Sequence, residues 1–362
     1  MNEQSTAWHT CTVRYYARDR HDDLILDCVG PALEAVAGTH SGTFFDRGWH
    51  LGPHIRLNVA ATPRVWAEHI RPTLEEHIGA HLSGAPSLGC PDPEREALQH
   101  RRLAVLEHVE GPLLPWYPDN SLQFGVQEDR SRYLGGNTVL AFMNDFHADT
   151  NALVLRMLDR IRAQDSRQEL CLGLMFALAH TQCPPVSRGF LSYHSHAEAF
   201  LANCSAPQRT RTAFEERYTA NSERSARILD HALRSADPTT SEDVLGISEW
   251  IGVWETYRAR AHRLLELGQA DFDDADAASA QDARASGFLE GLQRSGEWDE
   301  IRTAPWFRCY RLLLNATYAQ MARVGVGPLE RYLLCHTAAR TVEEAMGVAA
   351  PESAATWGSG GA

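Results

Sequence analysis

Hydrophobic residues in this chain change their spacing near residue 137, and that change decides what the chain can fold into. Before it, apolar and polar side chains alternate over short runs bounded by Gly, Pro, Asn and Asp, the period of half-buried strands. After it, apolar residues recur at helical spacing over 138–163, 167–182, 207–235, 242–268, 277–296, 305–324 and 328–347, with breaks such as Cys183-Pro184-Pro185 and Asp237-Pro238. Strands first and helices last is the order of an α+β fold, not of a doubly wound one. The expectation is N-terminal β-strands in a mixed or antiparallel sheet, with a largely helical C-terminal two-thirds. With no repeat period and no long linker, residues 1–350 are expected to form a single domain, and 351–362 a disordered tail.

Within the first part, residues 8–17 are rich in β-branched and aromatic types and predict a strand. Asp22 and Asp23 open a helix with Leu24, Ile25, Cys28, Val29 and Val36 on its apolar side, despite Pro31. A hairpin of Thr43–Trp49 and His54–Ala61 follows. Pro63 begins a helix, 93–109 predicts another, Gly111–Asn120 a loop, and Leu122–Gln127 a short strand. In the second arm of the hairpin Ile55, Leu57 and Val59 alternate with His54, Arg56 and Asn58. That polar row, lifted off a sheet after the Gly52-Pro53 bend, is suited to an anionic or amide-rich ligand. It fits an ordinary amphipathic strand with a wet face equally well.

Composition excludes several chemistries. The chain has no lysine, so its 34 Lys+Arg positions are all arginine. A pyridoxal-phosphate Schiff base, a Walker-type phosphate loop and a protein-kinase site each require a lysine. A formal charge of −13 argues against nucleic acid as main partner. The eight cysteines form no Cys-x-x-Cys pair, so buried free thiols are expected rather than zinc or a redox dithiol. No apolar run approaches a membrane span and the N-terminus lacks signal-peptide order, which places the expected location in the cytoplasm, away from membranes.

Three stretches carry candidate chemistry. Tyr193-His194-Ser195-His196 concentrates hydroxyls and imidazoles fit for acid–base work near neutral pH, or is a loop-to-helix start with incidental histidines. Its i, i+2 histidines lack the i, i+4 spacing of a helical zinc pair, so no metal is assigned. The acidic run Asp271-Phe272-Asp273-Asp274-Ala275-Asp276 lacks the glycine and terminal glutamate of an EF-hand and is expected to be a solvated connection. Tyr318, in the apolar helix around Leu314-Asn315-Ala316-Thr317-Tyr318, is either a core tyrosine or a proton donor.

Together these pieces resemble the elimination-type domain of lantibiotic dehydratases in its stand-alone, thiopeptide form. The residues that carry the resemblance are Trp8, Phe44 to Trp49, Gly52 to Leu57, Asp129-Arg130-Ser131-Arg132-Tyr133-Leu134-Gly135-Gly136, Phe190 to Phe200, and Leu314 through Cys335. Two departures bear on activity. The strand Arg-x-Arg pair of elimination domains is here Arg56-Leu57-Asn58, and the Tyr-Gly-Gly step carries an inserted Leu134. Glutamate recognition uses a paired guanidinium fork that asparagine cannot supply. The sequence is thus more similar to the thiomuracin-type pyridine synthases than to glutamate-eliminating enzymes or to a non-catalytic leader-binding module.

That resemblance implies a cofactor-independent, metal-free enzyme that joins two dehydroalanines of a thiazole-containing precursor peptide in a formal [4+2] aza-cycloaddition, with loss of water and of the leader peptide. It implies Tyr318 and His194 as proton-transfer groups and Ser286 as a weaker hydrogen-bonding candidate. Arg56, Arg132 and Asp129 become substrate or framework anchors, and Tyr193 a stacking surface for the core peptide. For an acidic leader, Arg95, Arg101 and Arg102 form the candidate contact.

Overall fold

The computed structural model describes residues 5–237, 239–240, 243–270 and 297–350, without the side chains of 102, 106 and 297–299. The acidic run at 271–276, the helix expected at 277–296, Ser286 and the tail 351–362 lie outside the described residues. Contacts group the chain into two compact units. One is Met1–Ala163 with Ala322–Gly325, and the other Gln164–Met321 with Val326–Ala362.

The first unit is built on four strands, β1 (Ala7–Arg14), β2 (Gly42–Gly48), β3 (His54–Ala61) and β4 (Leu122–Val126). They form one antiparallel sheet in the order β2-β3-β1-β4. Cys11, Phe45, Ile55, Leu57 and Val59 on one face are fully buried, as are Ile25, Val29, Leu74 and Ile78 of the helical segments in the same unit. Ile25 and Val29 come from the interrupted helical segment that begins at His21, whereas Leu74 and Ile78 sit on helix α1 (Arg71–Gly84). Helix α2 (Pro93–Leu106) is capped by Asp92, whose carboxylate accepts from the amides of Glu94 and Arg95.

The opposite face does not behave as an amphipathic strand in solvent would. His54 is 4% exposed and Asn58 0%, because other parts of the unit cover this face. Phe44, the register partner of Asn58, meets the His147 ring at 5.0 Å, and the Arg14 guanidinium lies 3.0 Å from His54 Nδ1, while Arg56 between them stays about one-third exposed. The alternation that predicts a wet face marks instead an enclosed polar row, and its side chains therefore need partners inside the protein.

Two long helical stretches are each divided. Residues 138–163 form α3 (Asn137–Asp149) and α4 (Asn151–Arg162), with the Thr150 hydroxyl donating to the Phe146 carbonyl at the junction, 2.6 Å away. Residues 207–235 form α7 (Pro207–Thr219) and α8 (Ser222–Ser235), where Asn221 closes the first helix by donating to the Arg217 carbonyl. The other long helices of the second unit are α5 (Arg167–Gln182), α6 (Leu191–Asn203), α9 (Ser248–Glu266), α10 (Pro305–Arg323, whose last two residues belong to the first unit) and α11 (Pro328–Met346), beside the short helices Val186–Gly189 and Glu297–Thr303. Helix α5 is buried nearly all round, from Leu170 to Ala179, as befits the central helix of a bundle.

Candidate functional site

In the first unit the enclosed row is organised by Asp46. Its register partner on β3 is Arg56, and Arg56 pairs in turn with Thr12 of β1, so these side chains share one face. The Arg56 guanidinium straddles the Asp46 carboxylate, Nε and Nη2 donating at 3.1 and 3.0 Å to Oδ1. The Asn58 amide donates to Oδ2 at 2.8 Å. Burial works to raise the Asp46 pKa, and the charge and hydrogen bonds of Arg56 outweigh it and hold the carboxyl below its ordinary value.

Two glycines make this face possible. A Cβ on Gly48 would lie 2.0 Å from the His54 ring, and Gly52 sits at φ +109° in the turn before β3. Arg14 ties that turn down, donating to the carbonyls of His50, Leu51 and Gly52 at 2.7, 3.1 and 3.0 Å. His54, enclosed beneath it, is kept neutral, its pKa pushed down to about 3 first by burial and then by Arg14 and Arg56.

The signature 129–136 is a short helical turn, Ser131–Leu134, preceded by Asp129, whose carboxylate accepts from the Ser131 amide at 2.9 Å. Arg132 and the Tyr133 hydroxyl both donate to Glu110, Arg132 lies 4.4 Å above the Tyr133 ring, and His108 stacks on that ring at 4.5 Å. Gly135 and Gly136 take φ +89° and +109°, so the paired glycines end the turn in a conformation other residues resist.

In the second unit Tyr318 on α10 is buried, 6% exposed. Its hydroxyl meets Nδ1 of His196 on α6 at 3.0 Å and Sγ of Cys335 on α11 at 3.2 Å. The Arg331 guanidinium lies 5.1 Å from the Tyr318 ring and 5.0 Å from that of Tyr332. Adjacent Thr317 fixes the rotation of α10, accepting from the Trp254 indole at 3.1 Å while donating to the Leu313 carbonyl.

Burial, then Cys335, raises the Tyr318 phenol well above its ordinary pKa. Burial, then Arg331 and Arg311, lowers His196 to about 4, and burial raises Cys335 to about 11. At neutral pH the three groups form an uncharged chain: a phenol that keeps its proton, an imidazole with a lone pair, and a thiol. Such a chain can offer a proton to a substrate atom and refill it without creating a buried charge at rest.

On another face of α6, His194 looks away from Tyr318. Positions 194 and 196 are turned about 200° apart on a helix, and His194 Nδ1 stands 3.5 Å from Glu343 of α11. It borders a cavity of about 840 Å³ between α6, α7 and α11.

The family model described as lantibiotic biosynthesis dehydratase C-term matches residues 8–342. The chain belongs to this family. Among solved structures, this family member is similar over its whole length to a pyridine synthase, TbtD, from thiomuracin biosynthesis. The TM-score is 0.80 and the identity 31%, covering 95% of this chain and 100% of that one. TsrL shares the fold with a TM-score of 0.69 at 21% identity, covering 97% of this chain and 98% of the other. No curated protein matches the chain.

For this dehydratase-type chain, the structure sorts the residues singled out in the sequence. Tyr318 and Tyr193 come together, their rings 6.5 Å apart, yet Tyr193 is fully buried and its hydroxyl is spent on the Met175 carbonyl. The imidazole hydrogen-bonded to Tyr318 is that of His196. Sequence reasoning placed His196 in the acid–base candidate stretch but assigned the proton-transfer role to His194, and it did not single out Cys335 or Arg331. The signal was available in helical spacing: once 191–203 is a helix, His196 lies three residues from Tyr193, and Arg331 and Cys335 lie four apart on one face. Arg56, Arg132 and Asp129 all sit in the first unit with their polar groups engaged. Arg95 and Arg101 are exposed on α2, which also carries Arg102.

Proposed function

We propose that this chain is a pyridine synthase of thiopeptide biosynthesis, acting on a precursor peptide that carries a leader, thiazoles and two dehydroalanines. The observation that carries this assignment is the full-length likeness, at 31% identity, to a pyridine synthase. The uncharged Tyr318–His196–Cys335 chain supports it, because the chemistry demanded is proton traffic on neutral amides.

In the proposed reaction the amide preceding one dehydroalanine shifts its N–H proton to its carbonyl oxygen, giving a 2-azadiene. The two ends of that diene form two C–C bonds across the second dehydroalanine. The ring then loses the former carbonyl oxygen as water, and the bond between Cα and the α-nitrogen of the second dehydroalanine breaks, so that the leader departs as a carboxamide with that nitrogen while the azadiene nitrogen stays in the aromatic pyridine. Holding the alkenes together supplies the entropic part of the acceleration. Tyr318 serves as proton donor to a developing oxygen or nitrogen, and His196 as the group that exchanges that proton. His194, turned toward Glu343, is the second proton-transfer candidate. No metal, nucleotide or redox cofactor is assigned.

Arg56 and Arg132 belong to the framework in this assignment, since each guanidinium is committed to a carboxylate, Asp46 or Glu110. The leader is assigned to the outer face of α2. There Arg95 and Arg101 flank Leu98 and Val105, which are 62% and 75% exposed and seven residues apart. Exposed apolar groups among arginines fit an acidic amphipathic segment.

Mass spectrometry of two incubations tests the assignment. A thiazole-containing peptide with two dehydroalanines is expected to yield a pyridine macrocycle and a leader carboxamide, and a glutamylated peptide to remain intact. Loss of glutamate from the second with no cyclised product from the first would reassign the chain to elimination, and no change in either would leave a leader-binding module.

A further inference from the structure

The cavity between α6, α7 and α11 is lined by none of Tyr318, His196 and Cys335 and shares only His194 with the residues assigned to the reaction, and the rest of its lining has a chemistry of its own. Helix α6 presents His194, Ala197 and Glu198 to it, α7 presents Arg211, Glu215 and Glu216, and α11 presents His336 and Arg340. These are i, i+3, i+4 neighbours on single faces, so the cavity is bounded by three regular helices rather than by loops. At about 840 Å³ it lies within the range of small-ligand sites.

The charges in and around it do not balance. Arg211 forms a fork on Glu198, both contacts 2.6 Å. Arg340 reaches Glu215 at 3.3 Å, Glu343 at 2.9 Å and Glu344 at 3.3 Å, while His336 reaches Glu215 at 3.0 Å. Three lining carboxylates, Glu198, Glu215 and Glu216, thus face two lining guanidiniums, Arg211 and Arg340, and Arg340 is shared with Glu343 and Glu344 outside the lining. Glu216 lines the cavity with no ion-pair partner among the described residues. The last turn of α7 adds to the negative potential, since Thr219 and Ala220 at its C-terminal end also line the space and helix C-termini carry partial negative charge. The floor is small and apolar, with buried Ala197 and Ala339 between the carboxylates and exposed Ala220 at the rim. An alkyl stem fits over such a floor with its charged head at the acidic rim.

We infer that this cavity binds the side chain of an arginine or lysine supplied by a peptide partner, the alkyl stem on the alanine floor and the cation against Glu216 with Glu198 and Glu215 behind it. This goes beyond the proposed reaction and does not depend on it: a failed cycloaddition assay leaves the cavity and its charge imbalance as they are.

The test uses the full chain and ligand-observed saturation-transfer NMR with four probes: Nα-acetylarginine amide, Nα-acetyllysine amide, neutral Nα-acetylcitrulline amide and Nα-acetylglutamate amide. The two cations are expected to bind saturably and at least about tenfold tighter than citrulline, as charge-assisted hydrogen bonds allow. Glu216→Gln, at an exposed position, is expected to weaken arginine binding about two- to fivefold, the scale of a partly solvated charge pair. Ala220→Trp, also exposed, is expected to abolish binding by filling the rim with an unchanged thermal midpoint. Equal binding of citrulline and arginine, preference for the glutamate probe, absence of saturable binding, or undiminished binding by a folded Ala220→Trp variant would each overturn the assignment.

Discussion

Replacing Tyr318 by Phe removes one oxygen atom and keeps the ring in its place between Tyr193 and Arg331. Two consequences can be separated by size. The first is structural: His196 Nδ1 and Cys335 Sγ lose their shared partner inside the protein. Leaving a buried polar group unmet costs about 1–3 kcal/mol, and the weak thiol contact adds little. Spread over a unit of this size, that loss lowers the unfolding midpoint by about 2–12 °C. The second is chemical: a proton donor in the transition state contributes about 100- to 10,000-fold in rate. The assay is single-turnover conversion of the bis-dehydroalanine peptide followed by mass spectrometry, beside calorimetry of the same preparation. Because Tyr318 stays protonated and His196 neutral, the wild-type rate is expected to be flat from about pH 5 to 8, with no limb from this pair. A variant with a small stability loss and full turnover would refute the chemical role. A rate loss matched by an equivalent loss of folded protein would return Tyr318 to the core.

Further expectations concern other parts of the molecule. His196→Ala is expected to slow pyridine formation at least as much as Tyr318→Phe, and the same assay on His194→Ala measures what the imidazole facing Glu343 adds. His21 and His54 are buried with pKa values lowered from 6.5 to about 4 and about 3, burial being the main cause in both. The unfolded chain therefore binds more protons than the native one below about pH 6.5. Their contribution to stability is complete above that value and is lost as pH falls toward 4 and then 3, so the urea midpoint is expected to drop between pH 7 and 4.5. An unchanged midpoint would show that both imidazoles are accessible to protons. Removing Arg95 and Arg101 together is expected to weaken leader binding and flatten its dependence on salt, measured by fluorescence anisotropy at low and high ionic strength; a salt-independent wild-type affinity would remove the electrostatic component.

Most of the fold is legible in the sequence, because strand and helix periods report directly on which faces are buried. The four strands, α5, α10 and α11 fall where alternation and helical spacing predict. The two divided helices do not show: Thr150 and Asn221 interrupt backbone geometry without interrupting the apolar pattern on either side. The polar row of β3 was misleading for a related reason. Alternation identifies two faces but not what packs over them, and the enclosure of His54 and Asn58 comes from Arg14 and His147, which lie 40 or more residues away in sequence. Tyr318 was legible as a candidate, whereas its link to His196 required the phase of α6 relative to α10, which depends on packing between helices far apart in the chain. Arg56 was legible as a functional type of residue, but its commitment to Asp46 appears only through the register of β2 and β3.

The saturated Asp46 carboxylate has a consequence for how activity divides within the family. The elimination-type pattern that the sequence resembles has arginine at the place of Asn58, so Asn58→Arg looks like a one-step route to glutamate removal. Asn58 is 0% exposed and already donates to Asp46, while Arg56 holds the same carboxylate. A second guanidinium introduced there would be neutralised by Asp46 before meeting any substrate, and would have to find volume that the amide does not occupy. Asn58→Arg alone is therefore expected to give a less stable protein rather than a glutamate-eliminating one, because the new guanidinium acts on Asp46 before it acts on any substrate.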